Sequence, residues 1–130
     1  MSENNFCPIG NTLDVFNRKW IFCILSNIFS GKTHFNEFKQ ANPTISNNVL
    51  SQTLKYMEEQ SLITKTVVDK LHNKTEYHLT EKGLKTNKIL YEITSFYFNE
   101  LNDEFDQKTS ENLLKEYEKT FLITGNFKIT

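Results

Sequence analysis

Apolar side chains recur along this chain with two different periods, and the change from one to the other organises it. Leu13, Phe16 and Trp20 stand three or four residues apart. Pro8 precedes them, and a proline costs nothing at a first helical position, so a helix is predicted to start there with Cys7 at about its N-cap. The segment WIFCILSNIF is apolar nearly all round and predicts a central buried helix ending near Ser30-Gly31, with Cys23 as a core residue inside it. THF, residues 33–35, reads as a short strand. A small helix over residues 36–41 then turns Phe35 and Phe38 inward until Asn42-Pro43 stops it.

Ser46 is the expected N-cap of the next helix, in which Leu50, Leu54 and Met57 recur at i, i+4 and i+7 and mark the core face. Asn47, Asn48, Ser51, Gln52 and Lys55 form the opposite, polar face. After Ser61-Leu62 the period becomes that of a strand in ITKTVVD, and the polar stretch KLHNK separates it from TEYHLT, which predicts a β-hairpin with a basic tip. Thr80 caps a predicted long helix over residues 81–106, where Leu90, Ile93, Tyr97 and Leu101 are joined by Ile89, Phe96, Phe98 and Phe105. A last helix over residues 110–122 carries Leu113, Leu114, Tyr117 and Phe121 on one side, and TGNFKIT is a weakly specified tail.

Short helix, buried helix, small helix, polar-faced helix and hairpin follow one another in the order of a winged helix-turn-helix. The expected class is therefore α+β, mainly α, with a β-hairpin wing and a C-terminal dimerisation helix. The whole is one domain, in which residues 6–95 form the winged-helix part and residues 81–122 the C-terminal helices that complete a dimer interface. The polar helix face offers the chemistry that DNA reading needs: Asn47, Asn48 and Gln52 can contact adenine bidentately, Ser46 and Ser51 can bond base or phosphate, and Lys55 can neutralise a phosphate. The hairpin tip, with Lys70, His72, Asn73 and Lys74, can lie along the backbone or in the minor groove. Taken alone, a polar helix face is most simply a solvated one. The hairpin with its basic tip shifts the balance. The apolar stripe over residues 90–105, with Leu90, Ile93, Tyr97 and Leu101, is either closed by the final helix or forms a dimer seam, and the seam better explains large side chains on so many sides.

Composition narrows the picture further. With 130 residues, 38% of them hydrophobic, and eleven phenylalanines, the chain can bury one real core. Its formal net charge of -1 excludes a uniformly basic nucleic-acid coat, so DNA contact must come from a local face. Residues 31–75 supply one: six lysines there stand against four carboxylates, a local excess of +2. No apolar run reaches the roughly 18 residues that span a bilayer, and MSENNF lacks the features of a signal peptide, so the expected location is the cytoplasm, with no membrane partner. Cys7, Cys23, His34, His72 and His78 have no metal-ligand spacing, and four scattered glycines form no phosphate loop. No metal, no cofactor and no catalytic residue is expected.

In a reducing compartment two cysteines do not predict a permanent disulfide. A thiol at a helix N-terminus meets unpaired backbone N–H groups and the positive end of the helix dipole, which favour thiolate. Arg18 and Lys19 would add to this if the fold brings them near. The plain alternative is that Cys7 fills a gap at a dimer interface.

The run CPIGNTLDVFNRKWIFCILSNIFSGKTHFNEFKQANPTISNNVLSQTLKYMEEQSLITKTV, followed by EYHLTEKG, resembles the HxlR-type winged-helix transcriptional regulators of bacteria, relatives of the MarR group. The resemblance covers about residues 6–95. It rests on Cys7-Pro8, Leu13-Asp14, Lys19-Trp20, Phe35-Asn36-Glu37, the segment from Ile45-Ser46 to Leu50, the spacing of Leu54 and Glu58, and Tyr77, Leu79-Thr80-Glu81 and Gly83. It implies a homodimer, formed through the N-terminal and long C-terminal helices, on a pseudo-palindromic DNA operator. It also implies a thiol at Cys7 that senses oxidants, quinones or other electrophiles. The chain departs from the family pattern in two places: KLHNK has neither the prolines nor the arginine of many wings, and no cysteine follows Cys23 as a resolving partner. The function expected is a transcriptional regulator, most simply a repressor; the competing one is a winged-helix protein-interaction module without DNA binding, or a regulator not controlled by thiol chemistry.

Overall fold

The structure is a computed structural model, and residues 6–123 are described. The readings of residues 1–5 and of TGNFKIT fall outside that span. Helix α1 covers Pro8–Val15, α2 Ile21–Phe29, α3 Phe35–Ala41 and α4 Asn47–Glu59. Strands β1 (Ile63–Asp69) and β2 (Lys74–Leu79) pair antiparallel, Ile63 opposite Leu79 and Val67 opposite Thr75. Then come α5 (Glu81–Leu84), α6 (Asn87–Phe96) with a π-helical turn over Tyr97–Leu101, and α7 (Gln107–Glu118) with a second such turn over Lys119–Ile123.

The core is assembled from the inward faces of these elements. Ile21, Ile24, Leu25, Ile28 and Phe29 of α2 meet Phe38 of α3 and Leu50, Leu54 and Met57 of α4, and Ile63, Tyr77 and Leu90 close the sides. Phe121 returns from the C-terminal end to stack edge-on against Phe29, ring centroids 5.5 Å apart. The predicted core face of α4 is therefore the observed one.

Local hydrogen bonds explain where the elements begin. The Ser46 hydroxyl caps α4 by accepting the N–H of Val49 at 3.1 Å. The Thr80 hydroxyl accepts the N–H of Gly83 at 2.9 Å, while the N–H of Thr80 donates to the carbonyl of Leu62 at 3.0 Å. Gly83 sits against that same carbonyl, where a Cβ would lie 2.1 Å from the oxygen. The Thr80-Glu81-Lys82-Gly83 motif thus welds the wing to the C-terminal helices through backbone contact that a side chain would block.

Five expectations need correction. THF forms no strand: the N–H of Tyr77 donates to the carbonyl of Thr33 at 2.8 Å, but His34 turns to the carbonyl of Thr75 through Nδ1 and the chain enters α3 at once. Trp20 does not continue the first helix, which ends at Val15. The helix predicted over 81–106 is broken twice. At Thr86 the hydroxyl bonds the carbonyl of Gly83. At Asn102 the side-chain oxygen takes the N–H groups of Glu104 and Phe105, each at 3.0 Å, and so offers the backbone an alternative to another helical turn. Asp106 caps α7 through the N–H of Thr109, so this helix begins three residues before the expected Ser110. Finally, Cys23 is exposed rather than buried: the helix carries its core residues on one side, and Cys23 faces away from them.

Candidate nucleic-acid interface and the Cys7 helix

Helix α4 presents a continuous polar surface. Ser46, Asn47, Asn48, Ser51, Gln52 and Lys55 are all exposed, while Leu50, Thr53, Leu54 and Met57 are buried beneath them. The Ser46 hydroxyl accepts the capping N–H of Val49, so its first role is to fix the start of the helix. Val49, 39% exposed on the first turn, is an apolar contact the sequence reading left out. A small aliphatic group there suits a thymine methyl in a major groove.

Between α4 and the hairpin runs a groove of about 610 Å³. Ser51, Lys55 and Glu58 line it from the helix and Lys65, Asn73 and Thr75 from the hairpin. Two predicted recognition residues and one predicted wing residue are thus brought together. Lys65 was counted only in the charge balance; its position on β1 opposite Tyr77 aims it to the same side.

The tip itself is less basic than its composition suggests. Asp69 accepts the N–H groups of Leu71 and His72, and its other oxygen lies 2.6 Å from Nδ1 of His72. The hydrogen bond from His72 is the main reason the Asp69 carboxyl is held below its ordinary pKa. Asn73 takes a left-handed conformation, φ 53°, which closes the turn and leaves Lys70 and Lys74 exposed, Lys74 with its charge partly answered by Asp69. Leu71 between them is 87% exposed.

At the other end, Cys7 caps α1 as expected. Its Sγ accepts the N–H of Gly10 at 3.3 Å, and the thiol is exposed. Arg18 and Lys19 are engaged elsewhere. The Arg18 guanidinium lies 4.4 Å from the centre of the Tyr56 ring, and Lys19 lies over Trp20. The field of Lys19 falls instead on Cys23, where partial desolvation of the otherwise exposed sulfur raises the pKa and Lys19 partly opposes it. Helix α1 has no buried residue, and Ile9 and Leu13 stand out into solvent. Ile89, Ile93, Phe96 and Leu101 form a second exposed apolar surface on α6 and its π-helical turn, bordering a hollow of about 740 Å³. Of the four residues predicted for the dimer seam, Ile93 and Leu101 are exposed and Tyr97 is half-buried. Leu90 lies within the protomer's own core, because the turn at Thr86 rotates α6 to point it at α2.

An exposed polar helix capped by serine, held beside a basic hairpin on a three-helix scaffold, defines a winged-helix DNA-binding protein. A family model described as HxlR-like helix-turn-helix matches residues 15–105, and the chain belongs to that family of transcriptional regulators. It is 31% identical over 114 residues to the HTH-type transcriptional regulator YybR of Bacillus subtilis, covering 87% of this chain and 90% of that one. Among solved structures it is similar to the redox regulator HypR in its oxidized form, with a TM-score of 0.68 and 30% identity over 76% of this chain and all of that one. The reduced form of YodB from B. subtilis shares the fold, with a TM-score of 0.64 and 23% identity over 77% of this chain and 99% of that one. The chemistry of the family lies in DNA recognition rather than catalysis. No helix among the described residues is long and apolar enough to cross a membrane.

Proposed function

We propose that the chain acts as a homodimeric repressor on a pseudo-palindromic operator, with Cys7 as the thiol through which oxidants or electrophiles change its affinity. The observation that carries the DNA part is the groove in which Ser51 and Lys55 of α4 face Lys65 and Asn73 of the hairpin. In this reading Asn47, Asn48 and Gln52 read base edges with Val49 beside them, and Lys55, Lys65, Lys70 and Lys74 neutralise phosphates. His72, tied to Asp69, shapes the tip. The exposed faces of α1 and of α6 join two copies, so that the two α4 helices reach successive major grooves about 34 Å apart or a multiple of it.

The sensor part draws support from the exposed Sγ of Cys7 at a helix N-terminus and from the likeness to a protein described as a redox regulator. With no cysteine after Cys23, modification takes one of three forms. An electrophile such as a quinone alkylates the sulfur. A small thiol joins the sulfur in a mixed disulfide, the two giving two protons and two electrons to the oxidant. The two Cys7 thiols of a dimer form an S–S bond, giving two protons and two electrons to the oxidant. Each would shift α1 and, with it, the spacing of the α4 pair.

Titration of the purified protein against its own upstream DNA and an unrelated duplex tests the first part. Specific retardation that Asn48→Ala and Gln52→Ala relax toward other sequences is expected; equal retardation of both duplexes by the parent would leave the protein-interaction reading. Diamide or a quinone then tests the second part: operator binding should change in the parent and not in Cys7→Ser. Unchanged binding after complete modification of Cys7 rejects the sensor.

A further inference from the structure

Against the face of α2 that carries Cys23, and bordered by the core residues Leu90 and Phe121, a hollow of about 590 Å³ lies between α2, α6 and α7. This size is in the range that holds a drug-sized molecule, roughly 300–1,000 Å³. Its walls are aromatic. Tyr97 and Phe98 stand 5.1 Å apart, Phe98 and Tyr117 6.1 Å, and Tyr117 and Phe121 5.9 Å, so their rings form one continuous surface. Phe22 and Phe105 add to the aromatic lining, and Ser26, Asn27 and Cys23 of α2 line it too.

The charge of this lining is one-sided. Among the described residues Glu104 is its single carboxylate, beside neutral polar groups, and no lysine, arginine or histidine lines it. Glu104 is fixed by the Asn102 turn, whose side-chain oxygen takes its N–H, and its carboxylate acts electrostatically on the Tyr97 phenol. Burial, together with the carboxylates of Glu104 and Asp103, pushes the Tyr97 phenol pKa up, so the phenol remains a neutral donor. An anion entering beside Glu104 would meet a carboxylate and no lining cation, since Lys19, whose field reaches Cys23, lies over Trp20 outside the lining. A cation would meet aromatic faces and a carboxylate, both of which attract it.

We propose that this hollow binds lipophilic aromatic cations: planar molecules with a delocalised positive charge, whose ring system lies against Phe22, Phe98 and Tyr117 and whose charge faces Glu104. The Ser26 and Asn27 side leaves room for the plane to enter, because small side chains stand where larger ones would fill the gap. None of the residues assigned to DNA contact takes part, so the site stands or falls independently of the operator reading. Cys23, at the wall, provides a reporter.

The test uses the full chain with two dyes of similar size, the cation rhodamine 6G and the anion fluorescein, followed by fluorescence anisotropy at physiological salt. Rhodamine 6G should bind saturably and fluorescein should not. Glu104→Gln should weaken rhodamine 6G by about fivefold, the worth of one partly exposed ion pair. In the wild-type protein saturating rhodamine 6G should slow alkylation of Cys23 by iodoacetamide, read by mass spectrometry of the Cys23 peptide, while the Cys7 peptide reacts at its former rate. Absence of saturable rhodamine 6G binding overturns the proposal. So does equal binding of fluorescein, an unchanged affinity in Glu104→Gln, or an unprotected Cys23.

Discussion

Replacing Phe96 with alanine separates assembly from folding. Phe96 lies on the outer face of α6, 58% exposed in the single chain and absent from the core. A phenylalanine offers roughly 200 Å². That leaves about 115 Å² free, worth about 3 kcal/mol at 25 cal/mol per Å² if a second copy covers all of it. Half coverage gives about 1.5 kcal/mol per protomer, and a two-fold axis repeats the change, so the dimer loses about 3 kcal/mol, or roughly a hundredfold in Kd. Sedimentation velocity over a concentration series reads this directly. The control is Leu90→Ala, which removes a side chain only 4% exposed and should cost folding about 2–5 kcal/mol in a thermal melt. If Phe96→Ala dimerises like the parent, α6 does not carry the seam. A parent that sediments as a monomer at all concentrations would refute the dimer altogether.

The remaining predictions concern single positions. Gly83→Ala should destabilise the fold by about 1–3 kcal/mol, because its Cβ would meet the Leu62 carbonyl and the backbone must move; chemical denaturation reads the loss. Glu37 is held below its ordinary carboxylate pKa, first by the backbone N–H of Thr33 and then by that of His34. Its contribution is therefore present above the unfolded value, about pH 4.3, and is lost as pH falls through the lower folded value. Glu37→Gln should flatten the acid limb of the stability curve below about pH 5. An unchanged limb would mean that the two hydrogen bonds are not kept in solution. Cys23, its pKa raised by partial desolvation, should alkylate slowly at neutral pH and faster as pH rises past that of a free thiol, which a pH series with iodoacetamide measures.

Local signals were the most legible part of the chain. Pro8 placed the start of α1 and Cys7 at its cap, Ser46 and Thr80 capped their helices, and the i, i+4, i+7 spacing of Leu50, Leu54 and Met57 marked the buried face of α4. These features depend on neighbours within one helical turn, which sequence spacing records. What failed depended on partners far along the chain. WIFCILSNIF is apolar enough to suggest burial all round, but one side of α2 faces the aromatic hollow under α7, and this leaves Cys23 open. Leu90 matches a seam by period, yet the turn at Thr86 redirects it inward. The long helix was overextended because Asn102 stops it through its side chain, a bond that no hydrophobic period reports. Lys65 escaped attention for the same reason: only the pairing of β1 with β2 brings it beside Lys55.

The salt dependence of operator binding tests the central claim most directly. Each cation that neutralises a phosphate adds about 0.9 to the slope of log K against log salt, and a dimer counts each residue twice. Lys55→Ala and Lys65→Ala should therefore each lower the slope by about 1.8 relative to the parent while leaving the preferred sequence unchanged. Slopes equal to the parent's in both variants would contradict the docking of α4 and the hairpin on DNA.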